Sequence, residues 1–288
     1  LLKMSPTVVA LTWILHDYLI TLEDEIRYIW TQSSSPSKWM FFWIRYYTIT
    51  LLLFDVIQIH VFSIPHITSP NLCVAMDTII RVVGAVSLWS VEIIMQLRVY
   101  ALYECSKRVV AFNLILFVFS IAGFLYILIF NHSRRASVIA DVIHLDLPGC
   151  PSVHSGIEWA QWIPATIYEG ILFGFALFKT FETTFVNLRR KTRLSLYELM
   201  IRDNIMYFFA VTALLIFNNL MVVNVTHIPW FSYGPFHAAV GIMTCRMLIN
   251  LRKAADTDMI DMGWSEELRN MSTENTSQAQ TRAPKRHG

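Results

Sequence analysis

Long apolar runs alternate with short polar loops from about Thr7 to Leu251. Seven runs separate cleanly, at about 7–22, 39–62, 74–103, 110–130, 159–181, 204–226 and 232–251, each near the roughly 20 residues a helix needs to cross a hydrocarbon core. In lipid a segment must satisfy its own backbone polar groups, so such runs predict helices rather than strands. The expected fold is all-α: an integral membrane protein with a seven-helix transmembrane bundle over residues 1–251. His16 and Asp17 interrupt the first run and no small-residue cleavage site follows it, which predicts a retained span rather than a signal peptide. After the bundle, Met259, Ile260, Met262, Trp264 and Leu268 predict a short interfacial helix within 252–271. Residues 272–288, rich in Ser, Thr, Gln and Asn, predict a disordered tail.

Composition sharpens this picture. Hydrophobic residues make up 55% and charged residues only 15% of the chain, against about 25% charged in a typical soluble domain. The mean hydropathy is +0.47. A net charge of +2 excludes nothing by itself, but its distribution sets an orientation. One side of the predicted bundle holds Arg27, Lys38, Lys107, Arg108, the fifth-loop group Arg189, Arg190, Lys191, Arg193 and Arg202, and the basic residues from Arg252 onward. The other side holds Lys3, Arg134 and Arg135. Because basic loops stay on the cytosolic face, the N-terminus is expected outside and the C-terminus in the cytosol.

That orientation puts Cys73 at the outer end of the third span and Cys150 in the next outer loop. A disulfide between them is compatible with an oxidising compartment, and two unrelated cysteines are the alternative. Asn131-His-Ser133 is a glycosylation sequon at the start of the same loop. Ionisable groups inside spans are costly and normally face the bundle interior. Asp77 and Arg81 stand four apart on the third span and share a helix face, to which Glu92 nearly returns. This predicts a central third span. Matching depth predicts an outer cluster of Asp55, Asp77 and Arg81 and an inner ion pair of Asp17 with Arg45. These pairs either fix helix register or line a polar pocket. Glu92 and Glu169 lie near mid-membrane without a basic residue at their depth, with His237, Asn218 and Asn219 as possible neighbours. They serve as hydrogen-bonded neutral groups or as proton-coupling sites. On the fifth span, Gly170-x-x-x-Gly174 permits a close helix crossing, with plain helix packing as the first expectation.

DYLITLEDEIRYIW (Asp17–Trp30), KWMFFWIRYYT (Lys38–Thr48), LRVYALY (Leu97–Tyr103) and CRMLINLRKAA (Cys245–Ala255) together carry a resemblance. They are similar to a fungal (basidiomycete) family of multi-span membrane proteins with an N-terminal domain of unknown function, domain-of-unknown-function family 6533, here within about 17–60. The resemblance implies an integral membrane protein and carries over no catalytic or ligand residue.

No span holds paired histidines at helical spacing, so no metal site is expected. The last span lacks the lysine of a retinal Schiff base, and no phosphate-cradling loop or nucleophile elbow occurs. The chain is therefore expected not to be an enzyme, to need no cofactor and to bind no nucleic acid. Its first partner is the lipid bilayer, in the plasma membrane or another membrane of the secretory pathway. The span count, Cys73, Cys150 and the basic fifth loop resemble the layout of G-protein-coupled receptors. Gln96 and Leu97 precede Arg98 where such receptors carry an acidic residue, and no Asn-Pro-x-x-Tyr closes the last span. A receptor-like protein sensing an apolar or amphipathic ligand is the first expectation, with a cytosolic signalling partner at Arg189–Arg193. A proton-coupled transporter using the intramembrane carboxyls is the alternative.

Overall fold

The computed structural model describes residues 6–31, 33–62, 70–142, 158–190, 196–222 and 233–256, and within these not every side chain. All regular structure among them is helical. Helix α1 is Pro6–Glu25 and runs on into one π-helical turn, Ile26–Trp30. Then come α2 (Pro36–Phe62), α3 (Pro70–Leu102) and α4 (Lys107–Val142). A short 3-10 turn, Glu158–Trp162, leads into α5 (Ile163–Arg190), followed by α6 (Leu196–Val222) and α7 (233–256). The first three helices each open on a proline, whose missing N–H costs nothing in the first turn.

Three helical segments, Pro36–Val61, Ala75–Leu102 and Lys107–Ser133, are long and apolar enough to cross a membrane, with mean hydropathies of 1.5, 1.7 and 2.5. On α4, Phe119, Tyr126 and Ile129 are about 70% exposed. An apolar surface this extensive belongs against lipid rather than water. Helices α3 and α4 outrun their apolar windows: 36 residues make α4 about 54 Å long, well beyond a core of about 30 Å.

Helix α3 contributes Leu88, Val91, Ile94, Met95 and Val99 to the main buried cluster, and α7 is enclosed further still. From Gly234 to Ile242 every residue of α7 is buried, so no side of that stretch faces lipid. Its packing explains why. A side chain on Gly234 would meet the Thr7 backbone on α1 at 3.1 Å, and one on Gly241 would meet Thr48 on α2 at 2.8 Å. One on Gly84 of α3 would meet the Tyr233 ring and His237 of α7. Three glycines thus let α7 approach three neighbours closely. One buried cluster joins Ala10 and Ile14 of α1, Leu51 and Leu52 of α2, and Ala238 and Ile242 of α7. A larger one runs through α2, α3, α5, α6 and α7, centred on Phe41, Met95, Leu172, Leu215 and Phe236.

The α3–α4 connection is tight. Glu104 and Cys105 take positive φ, 52° and 60°, and the Cys105 N–H donates to the Tyr100 carbonyl at 3.0 Å, ending α3. Helix α7 is described to Asp256; residues 257–288, with Met259–Leu268 of the expected interfacial helix and the expected tail, lie outside the described residues.

A candidate site in three polar layers

Polar side chains inside the bundle gather at three levels. At the end where α3 begins, Arg81 Nε donates to Asp77 Oδ2 at 3.0 Å, and Nη1 donates to Gln161 Oε1 at 2.8 Å. Gln161 is fully buried on the 3-10 turn before α5. The Tyr233 hydroxyl donates to the Ile80 carbonyl at 2.9 Å, and its ring lies 4.3 Å from that of His237. His237 is 1% exposed and also packs near Trp162 and Phe236. Asp77 and Arg81 come together as expected. Asp55 does not join them: it is buried elsewhere on α2, where the Thr7 hydroxyl donates to it.

The middle level holds Glu92 on α3 and Glu169 on α5, both fully buried and within electrostatic reach of each other. All four of their carboxyl oxygens lack a hydrogen-bond partner. One turn along, the Gln96 amide donates to the Tyr168 hydroxyl and, at 3.3 Å, to the Asn113 carbonyl of α4. Gln96 and Tyr168 were not singled out from the sequence, although each stands one turn or one residue from a glutamate that was.

The inner level corrects the expected Asp17–Arg45 pair. Arg45 Nε lies 2.7 Å from Glu25 Oε2, and its Nη2 donates to Thr21 Oγ1 at 2.7 Å and to the Tyr18 carbonyl at 3.1 Å. The guanidinium also sits 4.7 Å from the Tyr18 ring centroid. Asp17 pairs instead with Arg246 of α7, at 2.7 Å. Lys253 Nζ reaches Asp24 at 2.5 Å, and Trp30 Nε1 donates to Glu25 Oε1 at 3.0 Å. Position along a helix is one coordinate and the angle round the bundle is another, and the second decides which charges meet. A signal for Glu25 existed: the buried face of α1 is Thr7, Ala10, Ile14, Asp17, Thr21 and Glu25, a 3–4 spacing that continues through polar residues. Beside this layer, a crevice bounded by Ile14, Arg45, Thr48, Gly241 and Cys245 has room for about one water.

Two further expectations change. Asn131 is 3% exposed in the middle of α4, so its sequon offers no accessible acceptor in the folded chain. Gly170 and Gly174 have no atom within 4 Å of where a side chain would begin, so they mark no close crossing among the described residues. Cys150 and the side chain of Cys73 lie outside the described residues, as do the Arg189 and Arg190 side chains and residues 191–193. Among the described residues, no group of three or more His, Cys, Asp or Glu gathers as metal ligands.

No curated protein and no solved structure matches this chain. Residues 7–50, which run from the start of α1 through the π turn and into α2 and contain Asp17, Glu25 and Arg45, match the model of a family of unknown function, DUF6533.

Proposed function

We propose that this chain is a receptor-like sensor: a seven-span integral membrane protein, N-terminus outside and C-terminus in the cytosol, that binds an apolar or amphipathic ligand at the Arg81 end of the bundle. The observation that carries this reading is α7. It is enclosed on all sides between Gly234 and Ile242, meets the Arg81 layer through Tyr233 and His237, and meets the inner layer through Arg246 and Lys253. One element therefore touches both ends of the bundle. A ligand that favours one seating of α7 over another shifts the population of arrangements, and the inner ion pairs move with it. The cytosolic partner is then met at Arg189–Arg193 and the tail, in the plasma membrane or another secretory-pathway membrane. The basic bias of the loops supports the orientation. The reading involves no catalytic step, cofactor or nucleic acid.

The test is a thermal-shift screen of the purified full chain against straight-chain alcohols and fatty acids. A member that raises Tm in the wild type and not in Arg81→Met or His237→Ala supports the reading. A Tm indifferent to the whole panel counts against it.

The second reading, a proton-coupled carrier, is favoured by one observation: Glu92 and Glu169 share the middle of the bundle with no basic side chain paired to either among the described residues. Proton-driven uptake into proteoliposomes that disappears in Glu92→Gln distinguishes it.

A further inference from the structure

We infer that Glu92 and Glu169 together hold one small monovalent cation, a proton or a sodium ion, at the contact of α3 with α5. The inference supplies the coupling ion of the carrier reading but does not depend on transport, and its test reads binding rather than flux.

Two facts make the site a built one. Both carboxyls are fully buried, and none of their four oxygens finds a donor. Buried polar atoms in folded proteins are almost always satisfied, so four orphan acceptors on two carboxyls within electrostatic reach of each other point to a bound partner. The surroundings then choose the sign. Glu92 feels Glu169, and the hydroxyl of Tyr168 is the remaining titratable group that feels both. Among the described residues no Lys, Arg or His pairs with either. Two carboxylates side by side would place two negative charges in the bundle interior, where burial strongly penalises each. A bound monovalent cation removes one of the two charges and leaves the other shared across the pair.

Neighbouring groups narrow the ion. The Gln96 amide is spent on Tyr168 and on the Asn113 carbonyl, so it does not serve the carboxyls. The Asn113 side-chain oxygen, 2% exposed and also without a donor, is a fifth orphan acceptor among the buried side chains of α3, α4 and α5. Two carboxyls and one amide oxygen fall short of the six to eight oxygens typical of calcium. Neutralising a single charge leaves the pair bridged, which one proton or one sodium ion does.

The experiment uses the full chain in detergent, at constant ionic strength, in sodium chloride or choline chloride, across pH 5.5 to 8.5. Melting temperature is recorded for the wild type and for Glu92→Gln/Glu169→Gln. In parallel the wild type is treated with the apolar carbodiimide dicyclohexylcarbodiimide, which attacks protonated carboxyls in apolar surroundings, and the label is mapped by peptide mass spectrometry. A rise in Tm of several degrees with sodium, lost in the double variant, together with sodium protection of Glu92 or Glu169 from the label, identifies sodium. A Tm and a labelling that fall as pH rises, indifferent to sodium and absent from the variant, identify a proton. The same Tm response in wild type and variant overturns the inference. If the variant fails to fold, the wild-type label decides: labelling absent at every pH, or unmoved by both pH and sodium, overturns it.

Discussion

At the scale of single residues, Arg45 is the side chain whose loss should hurt most. It is 4% exposed and its partner Glu25 is fully buried, so Arg45→Met strands a carboxylate in the bundle. Removing one member of a buried pair costs about 3–5 kcal/mol, whereas removing both charges is often nearly neutral. Arg45→Met should therefore lower Tm sharply, and Glu25→Gln in the same chain should restore most of it. Glycines separate just as clearly. Gly84→Ala drives a methyl group into the Tyr233 ring, 2.8 Å away, at an expected cost of about 1–3 kcal/mol. Gly170→Ala and Gly174→Ala meet nothing and should be neutral or, through helix propensity, stabilising by up to about 1 kcal/mol. Detergent melting curves of the three variants rank them. The Arg81–Asp77 pair was readable in the sequence because four residues on a helix fix a shared face. Asp17 and Arg45 were not, because their partners lie on other helices: within α1 the spacing 17, 21, 25 was visible, but which guanidinium each carboxylate meets was not.

At the scale of elements, the turn between α3 and α4 stores strain. Cys105 holds a left-handed backbone at φ 60° that an L side chain resists by roughly 1–2 kcal/mol and glycine does not. Cys105→Gly should raise Tm, and an unchanged or lower value would show that the side chain itself is needed there. The ends of the helices were the least legible part. Apolar windows mark where lipid begins, whereas a helix stops where its backbone hydrogen bonds stop, which is why α4 reaches Val142 and carries the sequon within it, Asn131 buried and His132 and Ser133 exposed. The Gly170–Gly174 pair illustrates the converse. A small-residue spacing permits a crossing but does not say that another helix is there.

At the scale of the whole molecule, α7 ties the end of the chain to its beginning, through residue pairs 229 positions apart. The two ties should differ in weight. Arg246→Ala leaves Asp17 buried without its counter-charge, while Lys253→Ala breaks a pair whose two side chains are each 37% exposed, worth under about 1 kcal/mol. The Tm loss should be clearly larger for Arg246→Ala; equal losses would mean that Asp17 is satisfied some other way. The proposed orientation has its own check. Cys105 is free and exposed in the α3–α4 turn, so an impermeant maleimide should label it only after cells are permeabilised. Labelling mapped to Cys105 in intact cells would reverse the topology.

What the sequence determined on its own is the solvent and the class. Apolar runs of helical length are a one-dimensional property, and they sufficed for an all-helical fold and for lipid as the surroundings of its long apolar helices. The tertiary structure decided everything that depends on angle round the bundle: that α7 rather than α3 is the most enclosed helix, that Arg45 meets Glu25 and Asp17 meets Arg246, that Asp55 stands apart from Arg81, and that Glu92 and Glu169 share one place. Depth follows from counting residues along a helix; azimuth follows from how close two helices can come, and that is set by glycines such as Gly84, Gly234 and Gly241 whose effect exists only once a neighbour is present.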